Sequence, residues 1–103
     1  MDERYTEVVN VHVVSIPSNA DVALLYDLFA PYGRVISAEI GEIAAALDPT
    51  GGGMYTRNGT VQIEGLESAH LALRALNGAI LFEGLRPLIV RITSSYNPRR
   101  LIN

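Results

Sequence analysis

The sequence has no cysteine and no lysine among its 103 residues, and it contains no long hydrophobic run. Without cysteine, the chain can form neither a disulfide framework nor a thiolate metal site. No stretch approaches the ~20 consecutive apolar residues that a membrane-spanning helix requires. The first residues, Met1-Asp2-Glu3-Arg4, lack the basic end and the apolar stretch of a signal peptide. We therefore expect an intracellular protein that uses no membrane and is stabilised by its hydrophobic core.

Basic charge is also scarce. Eleven acidic residues outnumber eight basic ones, and the pI is about 5.2. The strongly basic surface of many nucleic-acid-binding proteins is therefore absent. All eight basic residues are arginines, whose planar guanidinium groups suit stacking and paired contacts with phosphate. A biased genomic base composition is the commoner cause of such usage, so the bias by itself identifies no partner.

Apolar residues, at 49% of the chain, recur in patterns that predict strands and helices in turn. A chain of this length forms about one domain and buries roughly two-thirds of the surface that it exposes when unfolded. The predicted elements are a strand over residues 8–16, a helix capped by Asp21, strands over residues 35–40 and 56–63, a helix over residues 65–77, and a strand over residues 87–93. Residues 44–47 either extend the second strand, form a helical turn or do neither.

The order strand, helix, strand, strand, helix, strand is that of the ferredoxin-like, split βαβ arrangement. Right-handed crossovers place both helices on one face of a four-stranded antiparallel sheet, with the first and third strands at its centre. The predicted fold is therefore an α+β sandwich whose second sheet face is open. We expect residues 1–7 to be a flexible N-terminal segment, residues 8–93 the domain and residues 94–103 a C-terminal tail, all within a longer protein.

Two short segments and the ends of both helices match the pattern of one known family. Residues 11–16 read Val-His-Val-Val-Ser-Ile and residues 56–63 read Thr-Arg-Asn-Gly-Thr-Val-Gln-Ile. In position they resemble the hexamer and the octamer of the RNA recognition motif, and the helix endings at residues 28–33 and 75–78 resemble those of the same family. The resemblance covers about residues 8–93 and implies single-stranded RNA as the partner, bound on the open sheet face.

The departures from the family fall at its stacking positions, which carry His12, Asn58 and Thr60 here. Stacking on an aromatic side chain contributes about 1–3 kcal/mol per base, so two lost platforms remove roughly 2–6 kcal/mol. With both motifs degenerate, the sequence is most similar in style to the RNA recognition motifs of polypyrimidine-tract-binding proteins. That similarity implies short, pyrimidine-rich RNA and a role in mRNA processing or its regulation, in the cytoplasm or, with slight preference, in the nucleus.

Strand alternation predicts which side chains share the open face with His12. We expect His12 to stack on one base, Asn58, Thr60 and Gln62 to read base edges, and arginines to meet phosphates. The candidate RNA-binding residues are His12, Glu39, Arg57, Asn58, Thr60, Gln62, Ile89, Arg91, Tyr96, Arg99 and Arg100. The same list describes an ordinary solvated sheet equally well.

A protein-interaction module on the same fold is the alternative function. A helix face or the apolar segment Ile80, Leu81 and Phe82 would then dock a protein partner. An enzyme is not expected, because no nucleophile, base and orienting group converge around His12 or His70, the two histidines. No cofactor or metal site is expected either, since no ligand cluster stands at a recognisable spacing.

Overall fold

The computed structural model describes residues 7–45, 55–82 and 86–97, and the elements in these ranges follow the predicted order. The strands are β1 (Val8–Pro17), β2 (Val35–Ala45), β3 (Tyr55–Glu64) and β4 (Ile89–Tyr96), and the helices are α1 (Val22–Phe29) and α2 (Leu66–Leu76). A short 3-10 turn, Ala30–Tyr32, follows α1. Neither helix in the described part of the chain is long and apolar enough to cross a membrane.

The four strands form one antiparallel sheet in the order β2-β3-β1-β4. The first and third strands are therefore central, as predicted. The core lies between the helices and one face of this sheet. Val9, Val11 and Val13 from β1 and Val61 and Ile63 from β3 are fully buried there. The predicted ferredoxin-like fold is confirmed.

Side chains at the helix ends fix the helices in place. Asp21 has an extended backbone at the start of α1, and its Oδ1 accepts a hydrogen bond from the Leu24 N–H at 3.4 Å. At the end of α2, Asn77 Oδ1 accepts a hydrogen bond from the Val90 N–H at 2.9 Å. The first contact caps α1 as predicted, and the second joins the end of α2 to β4.

Two strands continue three or more residues past their predicted ends. β2 continues past residue 40 to Ala45 after an irregular pairing with β3, which resolves part of the ambiguity at residues 44–47. β4 begins at Ile89 and continues to Tyr96, so residues 94–96, predicted as tail, pair with β1 instead. An extra residue, Thr93, forms a bulge that interrupts the alternation of β4. Because the alternation stops there, the sequence pattern predicts the end of the strand too early. Residues 1–6, 46–54 and 98–103 lie outside the described residues, and with them most of the predicted terminal segments.

A second bulge lies in β1 at Ser15, whose φ is 79°. Val14 pairs with Asn58 and Ile16 pairs with Arg57, which leaves Ser15 as the extra residue. Ile16 is fully buried in the core and Ser15 is 8% exposed. The bulge therefore reverses the alternation of β1 after Val14 and sends Ile16 to the helix side of the sheet.

Gly59 of β3 lies next to Leu25 of α1. A Cβ atom at this position would lie 2.8 Å from Leu25 Cδ1, 3.2 Å from the Glu39 carbonyl oxygen and 3.4 Å from Ile16 Cδ1. The first distance is shorter than carbon atoms tolerate, and Leu25 and Ile16 are themselves fully buried. The absence of a side chain at Gly59 thus leaves room for Leu25 to pack directly on the sheet.

We predict that Gly59→Ala destabilises the domain by about 1–3 kcal/mol, because the added methyl overpacks the contact with Leu25. For a domain of this size the melting temperature should fall by about 4–8 °C per kcal/mol. Thr60→Ala, one residue along on the other face of β3, is the matched control and should change stability much less. Equal melting temperatures for Gly59→Ala and the unmodified protein would contradict this account of the packing.

Candidate nucleic-acid interface

The sheet face that the helices leave uncovered, called the open face below, carries side chains in rows that cross the strands. In one row Glu39 of β2 pairs with Thr60 of β3, Thr60 pairs with His12 of β1, and His12 pairs with Arg91 of β4. Paired residues of neighbouring antiparallel strands project from the same face and lie about 4.5–5.5 Å apart. This central row therefore brings together one carboxylate, one hydroxyl, one imidazole and one guanidinium group.

A second row runs beside the central row and is joined by hydrogen bonds. Ser37 Oγ donates to Gln62 Oε1, Gln62 Nε2 donates to Asn10 Oδ1, and Asn10 Nδ2 donates to Ser94 Oγ, each at 2.9 Å. The chain of bonds crosses all four strands in one direction. We call these four residues the amide row.

The amide row changes what Gln62 can do on this face. Its side-chain oxygen accepts from Ser37 and its nitrogen donates to Asn10, so each end of the amide already holds one partner. An amide has two donor hydrogens and two acceptor lone pairs, which leaves one of each for a ligand. Gln62 is therefore held in one orientation by its neighbours, and it can offer RNA only half of its hydrogen-bonding capacity.

Sequence reasoning missed Asn10, Ser37 and Ser94 as residues of the open face. Asn10 lies two residues before His12 in β1, so alternation alone identifies it. Ser37 lies two residues before Glu39 in a regularly paired part of β2, so alternation identifies it as well. Ser94 follows the irregular pairing in β4, where no simple alternation holds. The sequence thus carries a signal for Asn10 and Ser37 but none for Ser94.

The remaining candidates on the open face occupy its two ends. Asn58 pairs with Val14, and Val14 pairs with Ile89, which is 46% exposed. At the opposite end Tyr96 pairs with Val8, and Val8 is only 6% exposed although it projects from the open face. Tyr96 thus belongs to the sheet and not to a tail. Arg99 and Arg100 lie outside the described residues.

Arg57 is the candidate that the structure places elsewhere. It pairs with Ile16, which is buried in the core, so its side chain leaves β3 on the helix side of the sheet. Its Nε atom is buried and has no hydrogen-bond partner. Alternation along β3 thus separates Arg57 from Asn58 and Thr60, and the structure does not place its side chain on the open face. The predicted contact between Arg57 and a phosphate stays a prediction.

Two depressions mark the open face. The larger, of about 470 Å³, is lined by side chains of the central row together with neighbours from β2 and β3: His12, Glu39, Ile40, Gly41, Glu42, Asn58, Gly59 and Thr60. The smaller, of about 250 Å³, is lined by Asn10, Ser37, Glu39, Thr60 and Gln62. Glu39 and Thr60 line both. The described residues contain no group of three or more His, Asp or Glu side chains that could hold a metal ion.

The apolar segment proposed for a protein partner is partly exposed. Ile80 is 71% exposed and Leu81 is 48% exposed, whereas Phe82 packs against the core. Phe82 thus takes the structural role expected of a core residue, and only the first two side chains are open to a partner.

Comparison with known proteins gives one curated relative and several solved structures of similar fold. No protein-family model matches the sequence. Polyadenylate-binding protein 7 of Arabidopsis thaliana is 32% identical over 80 residues, which make up 78% of this chain and 12% of that protein. The chain therefore spans a small fraction of the length of this relative.

Several of the similar structures are RNA recognition motifs. The crystal structure of the RRM domain of S. pombe Puf1 aligns with a TM-score of 0.66 and 23% identity, covering 88% of this chain and 95% of that one. The Rna15 RRM with bound RNA (GU) aligns with a TM-score of 0.61 and 29% identity, covering 82% of both chains. An Sxl-lethal protein–RNA complex aligns with a TM-score of 0.60 and 26% identity, covering 82% of this chain and 47% of that one. These likenesses, together with the element order and the sheet topology, show that the chain has the fold of the RNA recognition motif family.

Proposed function

We propose that this domain binds short single-stranded RNA across its open face, as a module of post-transcriptional mRNA processing or regulation. The observation that carries the proposal is the central row, in which His12 lies between the hydroxyl of Thr60 and the guanidinium of Arg91. Two of the similar structures contain RNA, which supports the same assignment. No catalytic role is proposed.

The central row offers the three kinds of contact that single-stranded RNA requires. The half-exposed imidazole of His12 is a platform for one base, and stacking of this kind contributes about 1–3 kcal/mol. Arg91 is exposed beside it and can bind a phosphate. Thr60 and Asn58 present a hydroxyl and an amide to base edges. One nucleotide can thus be held at its base and at its phosphate together.

The affinity of a single domain should be modest. Asn58 and Thr60 replace two aromatic platforms, which removes roughly 2–6 kcal/mol of stacking free energy. Since 1.4 kcal/mol corresponds to a tenfold change in affinity, a site with micromolar affinity weakens toward millimolar affinity. The net charge of −3 also predicts a shallow salt dependence, corresponding to about two to four phosphates. Neighbouring domains in a longer protein would raise the overall affinity by linking several weak sites.

The sequence preference of this RNA is proposed from similarity. The sequence of the third strand is similar to that of the third strands of polypyrimidine-tract-binding proteins. The similar structure of the Rna15 RRM contains bound RNA (GU). We therefore propose RNA that is rich in pyrimidines at most positions. Tyr96, the last residue of β4, would extend the contact along the sheet, and Arg99 and Arg100 would extend it beyond the last strand. The site of action would be the cytoplasm or, with slight preference, the nucleus.

A protein-interaction module is the second candidate, and the exposure of Ile80 and Leu81 favours it. Two exposed aliphatic side chains next to one another form a small apolar patch, but they provide less area than a stable interface needs. We rank this function below RNA binding because the patch has no polar groups to specify a partner.

We predict that His12→Ala weakens binding of a short uridine-rich RNA by about 5–140-fold, since it removes the stacking platform. His70→Ala is the matched control, because His70 is exposed on α2 and lies on the helix side of the domain. Chemical-shift titration gives both affinities, and thermal melting should show both variants folded. A loss of stability with unchanged affinity for His12→Ala would make His12 a structural residue.

We predict that Arg91→Gln reduces the slope of the logarithm of the binding constant against the logarithm of salt concentration by about 0.7, the value for one phosphate of a single strand. Arg74→Gln removes the same charge from an exposed position of α2 and should leave this slope unchanged. Titrations at several salt concentrations measure both slopes. If the two variants respond equally, Arg91 acts through overall charge and binds no phosphate.

A further inference from the structure

We propose that Glu39 selects guanine as the nucleotide that stacks on His12. The assignment rests on the proposed function and adds the identity of one base to it. It starts from the position of a carboxylate on a surface that is expected to bind a polyanion. Glu39 is exposed at the β2 end of the central row, and Arg91 is exposed at the β4 end.

The opposite charges at the two ends of the central row determine the orientation of a bound nucleotide. A phosphate is attracted to the guanidinium of Arg91 and repelled by the carboxylate of Glu39. Glu42 lines the same depression and adds a second exposed carboxylate at the β2 side. The nucleotide therefore lies with its phosphate toward β4 and with its base edge toward β2.

The space between His12 and Glu39 fits a base edge. Thr60 stands between them in the row, and its short side chain leaves open the place that an aromatic ring takes in the family pattern. The resulting depression, lined by His12, Thr60 and Glu39, measures about 470 Å³. Ligand pockets commonly measure about 300–1,000 Å³, so the depression accommodates one base that rests on His12 and points toward β2.

The chemistry of the carboxylate then distinguishes the four bases. An ionised carboxylate only accepts hydrogen bonds. The Watson–Crick edge of guanine presents two adjacent donors, N1–H and N2–H, which match the two carboxylate oxygens. Cytosine and adenine present one amino donor beside an unprotonated ring nitrogen, and uracil presents two carbonyl oxygens around one N–H. Glu39 should therefore bind guanine most tightly of the four bases and uracil least tightly.

The amide row keeps this site in one arrangement. Gln62 and Asn10 flank Thr60 and His12 along their strands, and both amides are fixed by hydrogen bonds to Ser37 and Ser94. The smaller depression, which Glu39 shares with Asn10, Ser37 and Gln62, is thus bounded in part by side chains that hydrogen bonds hold in one orientation. A base edge that reaches Glu39 meets a preorganised polar surface, and preorganisation lowers the entropic cost of binding.

The test compares five-nucleotide RNAs of sequence UUNUU, with guanine, adenine, cytosine, uracil or inosine at the centre, by chemical-shift titration of the 103-residue chain. We expect the guanine RNA to bind about 5–10-fold more tightly than the uracil RNA. This ratio is at the lower end of the discrimination that a bidentate contact provides, because Glu39 is exposed to solvent. Inosine, which lacks the N2 amino group, should fall between them. In Glu39→Gln the ratio of guanine to uracil affinity should fall below about twofold.

Glu67→Gln is the control for the change of charge, since Glu67 is exposed in the first turn of α2. It should leave the guanine preference intact, and thermal melting should show both variants folded. Binding of all five RNAs with equal affinity, or a guanine preference that persists in Glu39→Gln, overturns the assignment of Glu39 and leaves the proposed function standing. If none of the five RNAs binds, the proposed function fails and the assignment fails with it.

Discussion

One-sided burial of the two central strands is the constraint on which the other features depend. In β1 and β3 every second residue is a fully buried aliphatic side chain, from Val9 to Val13 and from Val61 to Ile63. A slip of one residue in the pairing would turn these side chains out to solvent, so the register is strongly specified. The same register sets His12 beside Thr60 and Asn10 beside Gln62. The core thus determines which polar side chains are neighbours on the open face.

The open face replaces aromatic stacking with hydrogen bonding. Asn58 and Thr60 stand where the family pattern has rings, and the amide row holds Gln62 and Asn10 in fixed orientations. A surface of this kind loses several kcal/mol of non-selective stacking. What it keeps are donors and acceptors at fixed positions, and these discriminate between base edges more than they add affinity. Weak binding with a definite preference is therefore the behaviour that the proposed function predicts for this surface.

The sequence predicts the fold well because the fold follows from regular patterns. Strand order, helix positions and the cap at Asp21 come from alternation, helical spacing and capping preference, and the structure has all three. The open-face candidates in the middles of strands, His12 and Thr60 among them, follow from the same alternation. These positions could be predicted because nothing interrupts the period of two there.

The predicted positions differ from the structure where a bulge interrupts the two-residue period of a strand, or where a residue is a candidate for its charge alone. Ser15 and Thr93 are bulge residues, and neither is the glycine or proline that usually announces an irregularity. The first bulge aligns Arg57 with the buried Ile16, and the second conceals the continuation of β4 to Tyr96. Charge alone makes Arg57 a candidate, although its place between Thr56 and Asn58 assigns it to the opposite face of β3 from Asn58. The hydrogen bonds of the amide row depend on side-chain orientation, which no sequence pattern specifies.

The most direct test of the account is a chemical-shift map of the unmodified chain titrated with a mixture of short single-stranded RNAs. The account predicts that the perturbed amides cluster at open-face residues of the central strands, foremost His12, Asn58, Thr60 and their neighbour Arg91. The amide resonances of α1 and α2 should not shift. Shifts confined to the helices or to Ile80 and Leu81, with the central row unchanged, would contradict it.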